Sequence, residues 1–141
     1  MLLTIDPGNA TGWALWRRDG LTGCGLGDPR SACDVDWIEE VWIESPVIYP
    51  RSKARPNDIV LLARGAGEWG GRYESEAAVH YVEPATWKGQ LPKDVHHARI
   101  WSKLNAAEQA IVNAACRGMA PSKRHNVLDA VGIGLWVRGQ K

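Results

Sequence analysis

Apolar positions along this chain fall into two regimes: short runs bounded by turn residues in the first half, and helical spacing in the second. Leu2-Leu3-Thr4-Ile5 reads as a strand, residues 12–17 as a second, and residues 21–26 as a third after the turn Arg18-Asp19-Gly20. Together they make a three-stranded antiparallel meander. Residues 41–43 form a short fourth strand that carries Glu44 at its C-terminal end, and Pro46 and Pro50 prevent regular pairing beyond it. Residues 79–82 are a fifth strand, with Pro84 just past it. Pro56-Asn57-Asp58 opens a helix expected to run to about Trp69 and to stop at Gly70-Gly71. Further helices are expected over about residues 93–104, 106–117 and 124–138. Asn105 and Glu108 make a capping-box signal for the second of these, and Ser122 is a candidate cap for the last. Three antiparallel strands, then strands alternating with helices, predict an α/β domain with a five-stranded mixed sheet flanked by helices.

A chain of 141 residues, 45% apolar, can bury the core of one domain, and no repeat, low-complexity tract or linker divides residues 1–141. There is no apolar run of membrane-spanning length and no secretory pattern at the N-terminus. The expectation is a soluble, cytoplasmic protein with no membrane partner. Cys24, Cys33 and Cys116 are odd in number and lack Cys-x-x-Cys spacing, so they read as reduced thiols and not as a disulfide framework or zinc site.

The first candidate chemistry is Asp6. It ends an apolar strand and is followed at once by the small-residue turn Pro7-Gly8-Asn9-Ala10-Thr11-Gly12, in which glycine lets backbone and ligand approach closely. That is a metal or phosphate site in outline, although Asp-Pro-Gly is also ordinary turn chemistry. The charge distribution adds to it. Net charge is only +1, yet residues 1–50 carry three Lys or Arg against eight Asp or Glu, and residues 51–141 carry fourteen against eight. An acidic half with a metal site beside a basic half suits an enzyme acting on a polyanion; the alternative is a chance asymmetry of solvated faces.

Four segments in order resemble the RuvC-type Holliday junction resolvases. They are Ile5-Asp6-Pro7-Gly8 with Thr11-Gly12-Trp13, then Ile43-Glu44 followed by Ala63-Arg64-Gly65, then Pro84-Ala85-Thr86-Trp87-Lys88 with Lys93 beyond, and finally Asp129-Ala130. Each is weak alone, but the series spans nearly the whole chain. The compact length and the wording Trp87-Lys88-Gly89-Gln90 are more similar to the small phage versions.

The resemblance implies an RNase H-like fold, a homodimer, and a Mg²⁺-dependent endonuclease that nicks a four-way DNA junction symmetrically, leaving 5′-phosphate and 3′-hydroxyl ends. Phosphodiester hydrolysis needs an activated water and a clamp for phosphate charge, and a pair of divalent ions about 3.5–4 Å apart supplies both. Carboxylates are the ligands such ions prefer, so Asp6, Glu44 and Asp129 are the expected cage for two Mg²⁺, with Mn²⁺ able to substitute and no small-molecule cofactor. Where the family offers a further acid on the last helix, this chain has His125 and Asn126. His125 lies four residues before Asp129 on the same helical face and is taken as the fourth site residue, ligating one metal ion or accepting a proton from the attacking water, with Asn126 as the alternative.

Lys88 and Lys93 are expected to meet the scissile phosphate, and Tyr49, Arg51, Lys53, Arg55, Trp87, Lys123 and Arg124 to contact DNA, with Tyr49 stacking on or wedging an exposed base. Trp13, Trp42, Trp101 and Trp136 read as packing, whereas Trp87 is placed in a loop. His96 and His97, as neighbours on a helix, should face different ways and be partly exposed, with phosphate contact a minor option. A flap-cutting or RNase H-type nuclease would use the same carboxylates, and a non-catalytic junction-binding protein would not need the full acidic set. A sugar kinase of the same superfold would need a far longer chain.

Overall fold

The computed structural model of the protein describes residues 1–32, 37–48 and 55–140. Strands β1 (Leu2–Asp6), β2 (Gly12–Arg17) and β3 (Gly20–Leu26) precede a short helix α1 (Pro29–Ala32) and strand β4 (Glu40–Glu44). Helix α2 (Pro56–Tyr73), strand β5 (Ala78–Val82) and helices α3 (Pro84–Trp87), α4 (Lys93–Lys103), α5 (Ala106–Ala115) and α6 (Pro121–Gln140) follow. The five strands form one sheet in the order β3-β2-β1-β4-β5. β1, β2 and β3 are antiparallel neighbours, while β4 pairs parallel to β1 and β5 parallel to β4. This is the mixed, RNase H-like arrangement the sequence predicts.

Strand alternation divides the core. Leu3, Ile5, Trp13, Leu15, Val41 and Ile43 point to the α2 side and pack with Ala66 and Tyr73. Leu2, Ala14 and Trp16 point the other way, into a larger cluster with Ile100, Val112, Val127, Val131 and Val137 from α4, α5 and α6. Asp6 and Glu44, spaced by even steps from Leu2 and Trp42, belong to the α6 face.

Helix α6 crosses the sheet at positions where side chains are missing. A Cβ on Gly12 would sit 2.0 Å from the carbonyl oxygen of Asn126, and one on Gly134 would fall 2.0 Å from the Trp16 indole nitrogen. Thr4, fully buried, donates its hydroxyl to the Ala130 carbonyl at 2.7 Å and ties helix to strand next to Asp129.

Several boundaries differ from the expectation. The α2 helix runs through Gly70-Gly71 to Tyr73, because Gly70 meets the Tyr81 hydroxyl where a Cβ would stand only 1.9 Å away. Packing there outweighs the roughly 1 kcal/mol helix penalty of a glycine. The last helix begins at Pro121, so Ser122 lies inside its first turn and is not its cap. Residues 84–87, expected as loop, form the short helix α3. The capping box is present: Asn105 Oδ1 accepts from the Glu108 amide at 3.0 Å, and Glu108 Oε2 from the Asn105 amide at 2.9 Å. Cys24 and Cys116 are buried, while Cys33 lies outside the described residues. Among the described residues, no helix is long and apolar enough to cross a membrane.

Candidate active site

The parallel register of β1 and β4 pairs Ile5 with Ile43, so the next residues, Asp6 and Glu44, end neighbouring strands on the same face. Helix α6 lays Asp129 over that face, one residue before the Thr4 tie. Asp6 and Asp129 are buried, and the Glu44 side chain is 14% exposed. Burial, then the charges of Glu44 and Asp129, push the Asp6 carboxyl well above the usual carboxylate range. The three acids therefore stand close enough to repel one another.

Lys88 lies in the middle of them. Its Nζ is 3.1 Å from Glu44 Oε2 and 3.8 Å from Asp129 Oδ2. Burial works against its charge, but Glu44 and Asp129 outweigh that and raise its pKa, so it stays an ammonium. Lys93, the first residue of α4, acts on Asp6 and Asp129 from across a small crevice of about 170 Å³ that Lys88, Leu91 and His96 also line. Both lysines stand with the carboxylates.

Trp87 is a correction. It is buried on α3, and its indole N–H donates to Glu44 Oε2 at 2.8 Å, so it holds a carboxylate and offers no face to a base. The histidines are a second correction. His96 is buried and packs edgewise on Trp87 with ring centroids 4.9 Å apart. The side chain of His97 is only 11% exposed, and its Nε2 lies 2.8 Å from Asp129 Oδ1. Sequence reasoning missed His97, although one signal was present: it lies four residues after Lys93 and so shares that residue's face of α4.

His125 stands next to His97, with ring centroids 5.0 Å apart, and approaches the acids through it. Burial, and then Lys93 and His97, lower its pKa, leaving a neutral imidazole near pH 7. Asn126 instead donates its side-chain amide to the Ala10 carbonyl at 2.5 Å and fastens the turn after Asp6. Arg124 donates Nε–H to the Met119 carbonyl at 3.1 Å, and Lys123 and Arg55 are exposed. Tyr49, Arg51 and Lys53 lie outside the described residues.

Among the described residues, no three His, Cys, Asp or Glu side chains stand in a ready coordination shell. The donor set nonetheless fits a hard divalent cation. Asp6, Glu44 and Asp129 offer oxygen ligands on one face, three acidic side chains beside the two lysines Lys88 and Lys93.

Fold and site together define an RNase H-like α/β domain with a carboxylate cluster at the C-terminal ends of two parallel strands. No protein-family model and no curated protein matches the sequence. Among solved structures, the chain is similar to the Thermus thermophilus RuvC structure at 14% identity, covering 99% of this chain and 96% of that one, with a TM-score of 0.49. It is also similar to T. thermophilus RuvC in complex with Holliday junction substrate, at 16% identity, 95% and 90% coverage and a TM-score of 0.44. Likeness at this level leaves the chemistry to be carried by the protein's own side chains.

Proposed function

We propose that this protein is a divalent-cation-dependent endonuclease that resolves four-way DNA junctions by paired, symmetric phosphodiester hydrolysis. The observation that carries the reading is the convergence of Asp6, Glu44 and Asp129 beside Lys88 and Lys93. The three carboxylates would hold Mg²⁺, with Mn²⁺ as a substitute. Such ions, when bound, supply a water acidic enough to attack near neutral pH and neutralise charge on the phosphate.

The remaining work belongs to the chain. Lys88 keeps its proton and presents a positive charge to phosphate oxygens. Lys93 adds a second positive charge lining the same crevice. His125 is neutral and can accept a proton at a ring nitrogen from the attacking water. Trp87 fixes Glu44 through its indole N–H. Cleavage of the P–O3′ bond gives the 5′-phosphate and 3′-hydroxyl ends.

Paired nicks require two such sites, hence two copies of the chain. The exposed apolar residues Val60 and Leu61 on α2, 60% and 64% exposed, support a surface for the second copy. Four-way junctions as substrate are supported by the ordered motif resemblance, and the lysines give the site affinity for phosphate.

The test compares a labelled four-way junction with matched duplex, flap and RNA–DNA hybrid in Mg²⁺ and in EDTA. Cutting confined to the junction and dependent on the cation is expected. Equal cutting of flap or hybrid would move the assignment to a broader nuclease, and cation-independent binding without cutting would leave a junction-binding protein.

A further inference from the structure

Helix α4 meets α6 through two successive contacts. In the first, Ile100 and the Trp87 ring pack at Gly132, where a Cβ would stand 2.6 Å from each. Gly132 lies three residues after Asp129, and Ile100 three residues after His97, so the next contact of the same pair of faces is His97 on Asp129. The missing side chain at Gly132 thus sets the separation at which the imidazole reaches the carboxylate.

The two Asp129 oxygens are treated differently. Oδ1 lies 2.8 Å from His97 Nε2, while Oδ2 faces Lys88 Nζ at 3.8 Å, on the Glu44 side. A carboxylate oxygen can only accept, so the 2.8 Å contact takes its hydrogen from the imidazole. Nε2 of His97 therefore carries the hydrogen. A carboxylate on a helix has rotamer freedom, and ligating carboxylates held by an outer hydrogen bond bind cations more tightly than free ones.

We infer that His97 is a positioning residue that orients Asp129, holding Oδ1 through its Nε2–H and leaving Oδ2 to face the cation-binding carboxylates. The inference rests on the reading of Asp6, Glu44 and Asp129 as a cation site. It assigns His97 no contact with DNA and no proton transfer; its effect passes through Asp129.

Three variants test it: His97→Ala, His97→Gln and His97→Asn. A glutamine amide reaches about as far as Nε2, whereas an asparagine amide stops near the Nδ1 position. Mn²⁺ affinity is measured by electron paramagnetic resonance on the full chain, alongside kcat and KM for a four-way junction. Loss of an outer-shell partner typically costs about 10- to 100-fold in metal affinity. His97→Ala and His97→Asn should weaken Mn²⁺ binding to that extent and lower kcat with KM little changed, and His97→Gln should restore Mn²⁺ binding to within about threefold of the parent. Parent-like Mn²⁺ affinity in His97→Ala, or in His97→Asn if the alanine variant does not fold, would overturn the inference. Equal weakening in Gln and Asn variants would also overturn it, since packing alone would then explain the loss. A parent that binds Mn²⁺ but cuts no nucleic acid would defeat the nuclease reading and leave the His97 result standing.

Discussion

The hydroxyl of Thr4 donates to the carbonyl of Ala130 across 2.7 Å, and the two residues lie beside the acids of the site: Thr4 two before Asp6, Ala130 one after Asp129. The bond fixes where α6 crosses β1, and so where Asp129 stands over the strand ends. Thr4→Val keeps the shape and removes the donor. It should cost about 1 kcal/mol in urea denaturation, the net worth of a buried hydrogen bond. Divalent-cation affinity should fall with it, and a variant as stable as the parent would show that the tie is not needed.

Gly12 is required by contact, not by turn conformation. Its backbone does not adopt positive φ, and an added Cβ would collide with the Asn126 carbonyl at 2.0 Å. Neither backbone can yield without moving α6. Gly12→Ala should destabilise by about 3 kcal/mol or more, the upper end for overpacking. Thermal denaturation measures this, and a shift of only a degree or two would mean that the helix slides freely.

Trp87→Phe separates two roles for one side chain. If the indole holds Glu44, losing its N–H removes a hydrogen bond to a charged group worth about 1.5–3 kcal/mol. At about 1.4 kcal/mol per decade, kcat should drop roughly ten- to hundredfold while junction affinity in Ca²⁺ stays near the parent value. Weakened junction binding with unchanged kcat would restore the stacking role expected from sequence.

Asp6 should make the cation-free protein less stable. Burial first, then Glu44 and Asp129, raise its pKa, so the folded chain binds the Asp6 proton more tightly than the unfolded chain does. Below the unfolded carboxyl value, near 3.9, both states are protonated and no penalty arises. As pH rises through the raised folded value, the folded state must carry a buried, repelled charge and stability is lost. Asp6→Asn in EDTA at pH 7 should therefore melt a few degrees higher than the parent, the shift expected for about 1 kcal/mol. Mg²⁺ should raise the parent's melting temperature and leave that of the variant nearly unchanged; a lower-melting variant in EDTA would contradict the placement of Asp6.

The strands were legible because each is a short apolar run closed by turn residues, and Asp6 and Glu44 announce themselves by ending two of them. Asp129 was legible as an acid within an apolar helical pattern. What could not be read was set by packing between helices. Trp87 looks like a loop residue until α3 turns its indole toward Glu44, and His97 looks like a surface neighbour of His96 until Gly132 brings α4 against α6. The glycine pair at residues 70–71 misled for the same reason: the helix continues because Tyr81 needs the space at Gly70.

The most direct measurement uses a supercoiled plasmid whose inverted repeat extrudes a four-way junction, incubated with the protein in Mg²⁺. Paired symmetric hydrolysis should convert it to linear DNA with two nicks that ligase can seal, and EDTA or Asp6→Asn should abolish the product. An intact plasmid in Mg²⁺, or equal cutting of a plasmid without the repeat, would contradict the assignment of Asp6, Glu44 and Asp129 to junction resolution.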